Sequence, residues 1–174
     1  MCNNTKARIT DAVEELICTQ PGGKVTVQQV MELTQMNRQS FYYHFQDIND
    51  VLRRIVIRRF YVPMEFDPAE APETWFRRGL DLVKERSKLL RRVSRELGSE
   101  QMYELLSPVF RPQVERLLPQ RPELSPKQRE MAVNAISYSL LCTVTGMLLG
   151  REQLDVDATM EKLRVVLAAL GGKL

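Results

Sequence analysis

Apolar side chains recur along this chain at helical spacing. From residue 5 to 20, Ile9, Ala12, Val13, Leu16 and Ile17 fall on the i, i+3, i+4, i+7, i+8 stripe of one helical face, and Pro21, Gly22 and Gly23 end the run. After Thr26 a second face is made by Val27, Val30 and Met31 and stops near Thr34. A third short run carries Phe41 and Phe45 one turn apart, and a fourth places Val51, Leu52, Ile55 and Val56 on one side before ending at about Tyr61. Pro63, Pro68 and Pro72 then punctuate an acidic connector, the best candidate for a domain boundary. Beyond it the pattern predicts a long helix from Glu73 to Leu97 that ends at Gly98, with Phe76, Leu80, Val83, Leu90 and Leu97 on one side. Two shorter helices follow, Glu100 to Leu106 and Pro108 to Leu118, the second opened by Ser107 with Pro108 at its first position. After a loop at Pro119 to Pro122, a long eighth helix begins at Ser125. The last runs from about Asp157 to Leu170, and Gly171 and Gly172 end it. The expected fold is all-α with about nine helices. Its units are an N-terminal head over 1–50, a linking helix over 47–61 and a helical body over 62–174.

Polar residues at the helix starts sharpen the head. Thr26 with Gln29 three residues on is a capping-box pair, and Asn37 can accept from the backbone N–H of Gln39 or Ser40 to open the third helix. Asp47 with Asp50 supplies a cap and a first-turn acid for the fourth. If Phe41 and Phe45 point inward, what remains outside is Arg38, Gln39, Ser40, Tyr42, Tyr43 and His44, donors and rings that suit base edges and phosphates. Two short helices joined by a tight turn, packed under a first helix, make a helix-turn-helix.

The eighth helix carries a different signal. Twenty residues from Met131 to Gly150 lack any charge, enough to cross a bilayer. Asn134, Ser137, Tyr138, Ser139, Thr143 and Thr145 lie all along it, however, and neither end has clustered Lys or Arg, so burial in protein is the expectation. Ala132, Ala135, Ser139, Thr143 and Gly146 permit close approach of another helix. Together with Met160, Leu163, Val166, Leu167 and Leu170 of the last helix they assign one face to a second copy of the chain, as a four-helix bundle across a two-fold axis.

Composition adds limits. With 174 residues and 44% apolar content the chain can bury a real core. A single His and three scattered Cys (Cys2, Cys18, Cys142) fit neither a zinc site nor a disulfide framework, so no metal or cofactor is expected, and Cys18 and Cys142 read as buried thiols. A reducing cytoplasm fits, and the charged N-terminal stretch is no signal peptide. The net charge of +3 is modest, and residues 1–60 hold eight Lys or Arg against six acids, a net of +2. The predicted helix from Glu73 to Leu97 is more basic, with eight cations (Arg77, Arg78, Lys84, Arg86, Lys88, Arg91, Arg92, Arg95) against four acids. It reads as a solvated face with i,i+4 pairs, with an anion-binding wall as the sharper alternative. No activated nucleophile, carboxylate pair or phosphate loop suggests an enzyme.

The run from Thr26 through NRQSFYYHF to Asp47 resembles the DNA-binding domain of the TetR family of bacterial transcriptional regulators, over roughly residues 5 to 60. The resemblance implies a homodimer on an inverted-repeat, double-stranded DNA operator. It also implies Gln39 and Tyr43 as base readers, Arg38 on a guanine or a phosphate, and Thr26, Tyr42 and His44 on phosphates, with Asn37 and Ser40 in the same surface. A small-molecule effector would bind in the body, where Trp75, Phe76, Met102, Tyr103, Phe110 and Tyr138 are the large side chains available. Three positions depart from the family. Gln35 stands where Gly is usual in the turn, and Gln46 and Ile48 stand where Lys is usual after the terminal Phe. The missing Gly together with RQSFYYHF is similar to the subgroup related to dihydroxyacetone-kinase regulators, which act as activators. The rival reading is a helical adaptor that uses the same head to bind protein.

Overall fold

A computed structural model describes residues 2–20, 22–65, 67–118, 124–150 and 155–169. Within them the chain forms eight α-helices: α1 Cys2–Thr19, α2 Val27–Thr34, α3 Arg38–His44, α4 Ile48–Val56, α5 Pro72–Glu85, α6 Ser87–Leu117, α7 Pro126–Leu148 and α8 Val156–Ala169. A π turn, Ile57–Tyr61, and a 3-10 turn, Val62–Met64, continue α4. The linking helix therefore does reach Tyr61, but its last turn widens to i→i+5 bonding.

Four of the predicted caps form, at Thr26, Asn37, Asp47 and Ser125. Thr26 Oγ1 accepts from the Gln29 amide while Gln29 Oε1 accepts from the Thr26 amide at 2.9 Å, a reciprocal box, and Ser125 and Gln128 repeat it at α7. Asn37 Oδ1 accepts from Ser40 N at 2.8 Å, and Asp47 Oδ1 from Asp50 N at 2.8 Å. Each cap satisfies a donor that the first turn leaves without a helical partner.

The turn between α2 and α3 has Gln35 at φ 55°, ψ 34°, the left-handed conformation that glycine adopts freely. A Cβ there costs about 1–2 kcal/mol. Gln35→Gly should therefore raise stability by about 1 kcal/mol, less what glycine adds to the unfolded chain's freedom, and the melting midpoint by about 2–4 °C. A lower midpoint in a thermal melt would contradict this.

In the body, two corrections to the sequence reading concern α5 and α6. The predicted helix Glu73–Leu97 is two helices, because the chain breaks at Arg86 (φ −103°, ψ 18°). The predicted pair Glu100–Leu106 and Pro108–Leu118 is instead one helical segment. The helix before it does stop at Gly98, whose backbone (φ 78°, ψ 166°) is not helical, so α6 is two helices joined across a kink. Pro108 and Pro112 lie inside it, so Ser107 is no cap. Proline removes the bond to the carbonyl four residues back. Those carbonyls belong to Glu104 and Pro108, both on exposed residues where water can serve them. The described residues hold eight helices when α6 is counted as one across its kink. The loop Pro119–Pro122, Leu170, Gly171 and Gly172 lie outside the described residues.

Buried apolar side chains form one continuous cluster from Ile9 in α1 to Leu163 in α8. Its centre is aromatic: the Trp75 ring meets Phe76 and Phe110 edge-on at 5.1 and 5.4 Å, and Phe60 stacks on Phe110 at 6.3 Å. Trp75 Nε1 donates to the Met64 carbonyl at 3.1 Å. Gly79 lets this layer close, since a Cβ there would lie 2.8 Å from Met64 Cε.

Candidate nucleic-acid interface

The third helix is short, and its orientation is set by what it buries. Phe41 is fully buried and Phe45 nearly so, with ring centroids 5.9 Å apart, and both belong to the continuous apolar core. This i,i+4 pair anchors the helix and turns its other face outward. Arg38 and Gln39 are exposed there, with Tyr42 at 57% and Tyr43 at 77%. Neither tyrosine packs beneath α1. The Tyr43 ring leans edge-on against His44 at 4.8 Å, which limits its freedom while leaving its hydroxyl end outside.

Thr26 is exposed at the start of α2, where its backbone and hydroxyl are held by the capping box. An oxygen ligand meets free N–H groups at such a helix start, and the macrodipole favours its negative charge. Asn37 and Ser40 play a more structural part. Asn37 Oδ1 already takes the Ser40 amide and also the Ser40 hydroxyl at 3.0 Å. The three positions that depart from the family pattern resolve differently. Gln35 keeps the left-handed turn, Gln46 is exposed, and Ile48 packs against the apolar core.

The head is fixed to its neighbours by polar contacts from α4 and the π turn. Arg58 reaches Asp11 and Glu14, both at 2.7 Å, and Arg59 reaches Glu14 at 2.8 Å, tying the π turn to α1. Arg53 donates to Gln101 Oε1 at 2.7 Å, tying α4 to α6. Arg8 donates to the Thr34 carbonyl at 2.9 Å and so braces the end of α2. Pairs this exposed contribute at most about 1 kcal/mol each, so they set geometry more than stability.

The body residues expected to line one pocket do not come together. Trp75, Phe76 and Phe110 line a narrow apolar cavity of about 30 Å³ beside Phe60, Leu140 and Leu163, no larger than a single water. Met102 is buried elsewhere in the core. Tyr103 and Tyr138 meet edge-on at 5.1 Å on the outer side of α6 and α7, with Tyr138 54% exposed. A hydrogen bond with the Cys142 thiol pushes the Tyr138 phenol above its ordinary pKa. Cys142 is itself exposed rather than buried, because it sits on the outer face of α7.

That outer face is apolar. A groove of about 820 Å³ runs between α7 and α8 past Ala135, Ser139, Thr143, Leu163, Val165 and Val166. Val166 is 51% exposed, Leu163 is buried beneath, and nothing lies within 4 Å of a Cβ built on Gly146. The Leu167 side chain and Leu170 lie outside the described residues. By length and composition α7 would also suffice to cross a membrane, and only 33% of its most apolar window is buried within the chain. Among the described residues no three His, Cys, Asp or Glu side chains cluster as metal ligands.

No known protein-family profile and no curated protein sequence matches the chain significantly. Solved structures do. A TetR transcriptional regulator from Streptococcus agalactiae 2603V superposes with a TM-score of 0.71 at 16% identity, covering 97% of this chain and 94% of that one. The dihydroxyacetone kinase operon activator DhaS superposes with a TM-score of 0.65 at 13% identity, covering 95% and 94%. The fold is thus the all-helical fold of TetR-type regulators over nearly the whole chain.

Proposed function

We propose that the chain is a homodimeric, TetR-like transcriptional regulator that acts in the cytoplasm on an inverted-repeat DNA operator. The observation that carries this is α3, which buries Phe41 and Phe45 and leaves Arg38, Gln39, Tyr42 and Tyr43 in solvent beside an exposed helix start at Thr26. A structural helix has no need of such a face. In this reading residues 1–50 are the reading head and residues 62–174 the effector and dimerisation body. Gln39 and Tyr43 read base edges in the major groove, and Arg38 takes a guanine or a phosphate. Thr26, Tyr42 and His44 hold phosphates, while Asn37 and Ser40 keep the start of α3 in register.

The open apolar face of α7 and α8 supports the pairing. Two such faces packed across a two-fold axis would cover Ala135, Ser139, Thr143, Gly146, Leu163 and Val166 and bring two heads to successive major grooves. A small effector in the body would have to widen the aromatic cavity. Phe60 forms part of its wall and belongs to the turn that continues α4, so an occupant preferring a displaced Phe60 would shift the linking helix and with it the heads.

The role assignments separate in a binding series. Gln39→Ala should weaken binding by about 1–3 kcal/mol at one base position and relax specificity there. Thr26→Ala should weaken binding to all sequences alike and, because its hydroxyl carries no charge, leave the salt slope unchanged. Because the cap is lost, it should also destabilise the fold by about 1 kcal/mol. Equal losses on every sequence for both variants would overturn the distinction.

A further inference from the structure

Eight Lys and Arg side chains lie between residues 77 and 95. Several are neutralised locally: Arg77 by Asp157 at 2.7 Å, Arg78 by Glu70 at 2.6 Å and Arg92 by Glu96 at 3.5 Å. The Arg77 hydrogen bond and charge hold the Asp157 carboxyl below its ordinary pKa. At the start of α6 the pattern changes. Lys88 Nζ donates to the Cys18 carbonyl at 2.7 Å and Arg92 donates to the Gly23 carbonyl, so two struts cross from α6 to the end of α1 and the turn beyond it. Arg91 and Arg95, one helical turn apart, have no hydrogen bond or ion pair among the described residues. Lys88, Arg91, Arg92 and Arg95 share one wall of a cleft of about 570 Å³ whose opposite wall is the end of α1, and no carboxylate lines it.

We propose that this cleft binds a small, multiply charged anion of the phosphate class, and that the anion competes with the end of α1 for Lys88 and Arg92. The carbonyls at the end of α1 together carry about half a negative charge and the Gly23 carbonyl beyond it only a local dipole, whereas a pyrophosphate group carries more than one full charge and takes arginine in paired hydrogen bonds. The unpartnered Arg91 and Arg95 supply the first contacts. Lys88 then turns from the Cys18 carbonyl towards the anion, while Arg92, still paired through Nε with Glu96, gives up only the Gly23 carbonyl, and the end of α1 and the turn beyond it lose their two struts to α6. The volume suits a diphosphate group or a nucleoside diphosphate. This binding is independent of DNA recognition. Only its effect on operator affinity would rest on the function proposed above.

The test is calorimetric titration of the full-length protein at constant ionic strength with inorganic pyrophosphate, and in a second arm with ADP. Saturable binding is expected, weakened by about tenfold or more in Arg91→Gln/Arg95→Gln, whose side chains make no contact the fold depends on. Lys84→Gln/Lys127→Gln, with the same loss of charge elsewhere, should change it by less than about twofold. Amide hydrogen exchange over residues 19–24 should quicken when pyrophosphate binds. Tighter binding of ADP would assign a nucleotide, and equal or weaker binding the bare phosphate chain. Absence of saturable binding, or equal weakening in both double variants, would overturn the site, and unchanged exchange would overturn the competition.

Discussion

Val166→Asp is expected to give a folded protein that sediments as a single chain and binds a two-half-site operator no better than a single half-site. Val166 is about half exposed on α8, so the fold of one chain does not depend on it. In the proposed pair the same position lies within the packed apolar face, and a two-fold axis places two new carboxylates there without partners. An uncompensated buried charge costs about 3–5 kcal/mol. Even the lower figure raises the dimer dissociation constant by more than about a hundredfold. Sedimentation and circular dichroism on one sample check both halves of the expectation. A dimer of unchanged strength would move the interface away from α8.

Trp75→Ala carries the largest expected stability loss. The side chain is fully buried between Phe76 and Phe110, and its indole N–H is the donor to the Met64 carbonyl. Removing a large aromatic from such a core costs about 3–5 kcal/mol, and the stranded carbonyl adds about 1 kcal/mol or more. Against a total of about 5–15 kcal/mol this is about a quarter or more of the whole. The melting midpoint should fall by roughly 10 °C or more. Met131→Ala, on the exposed face of α7, should stay within about 0.5 kcal/mol of the parent. Equal midpoints for the two variants would mean that the aromatic layer is not the centre of the core.

The head was far more legible in the sequence than the body. Caps are local chemistry: Thr26, Asn37, Asp47 and Ser125 each take the amide three residues on, so a four-residue pattern settles them. Phe41 and Phe45 at i,i+4 dictate which way α3 turns, and even the left-handed Gln35 follows from where a turn must fall. In the body, the break at Arg86 has no Gly or Pro to mark it. Its trace is the polar run from Lys84 to Lys88, which leaves more than a helical turn without an apolar residue between Val83 and Leu89. Ser107 and Pro108 imitate a helix start, but the surrounding stripe of Met102, Leu106, Val109 and Phe110 stays buried and keeps the helix running. In α7, a stretch with almost no charge has no amphipathic contrast to say which face turns inward. Size alone therefore suggests a pocket position for Tyr138, and it lies outside.

In the proposed function the exposed face of α3 reads DNA, two heads at a time. A quantitative footprint on the DNA flanking the protein's own gene tests it most directly, with Tyr43→Ala as the paired sample, since Tyr43 is 77% exposed and its removal leaves the core intact. The expected result is protection of an inverted repeat with half-site centres about 34–36 Å apart, or a multiple of that, and loss of this protection in Tyr43→Ala. Binding that protects no defined sequence, falls with salt in the same way for every fragment and is untouched by Tyr43→Ala would contradict it.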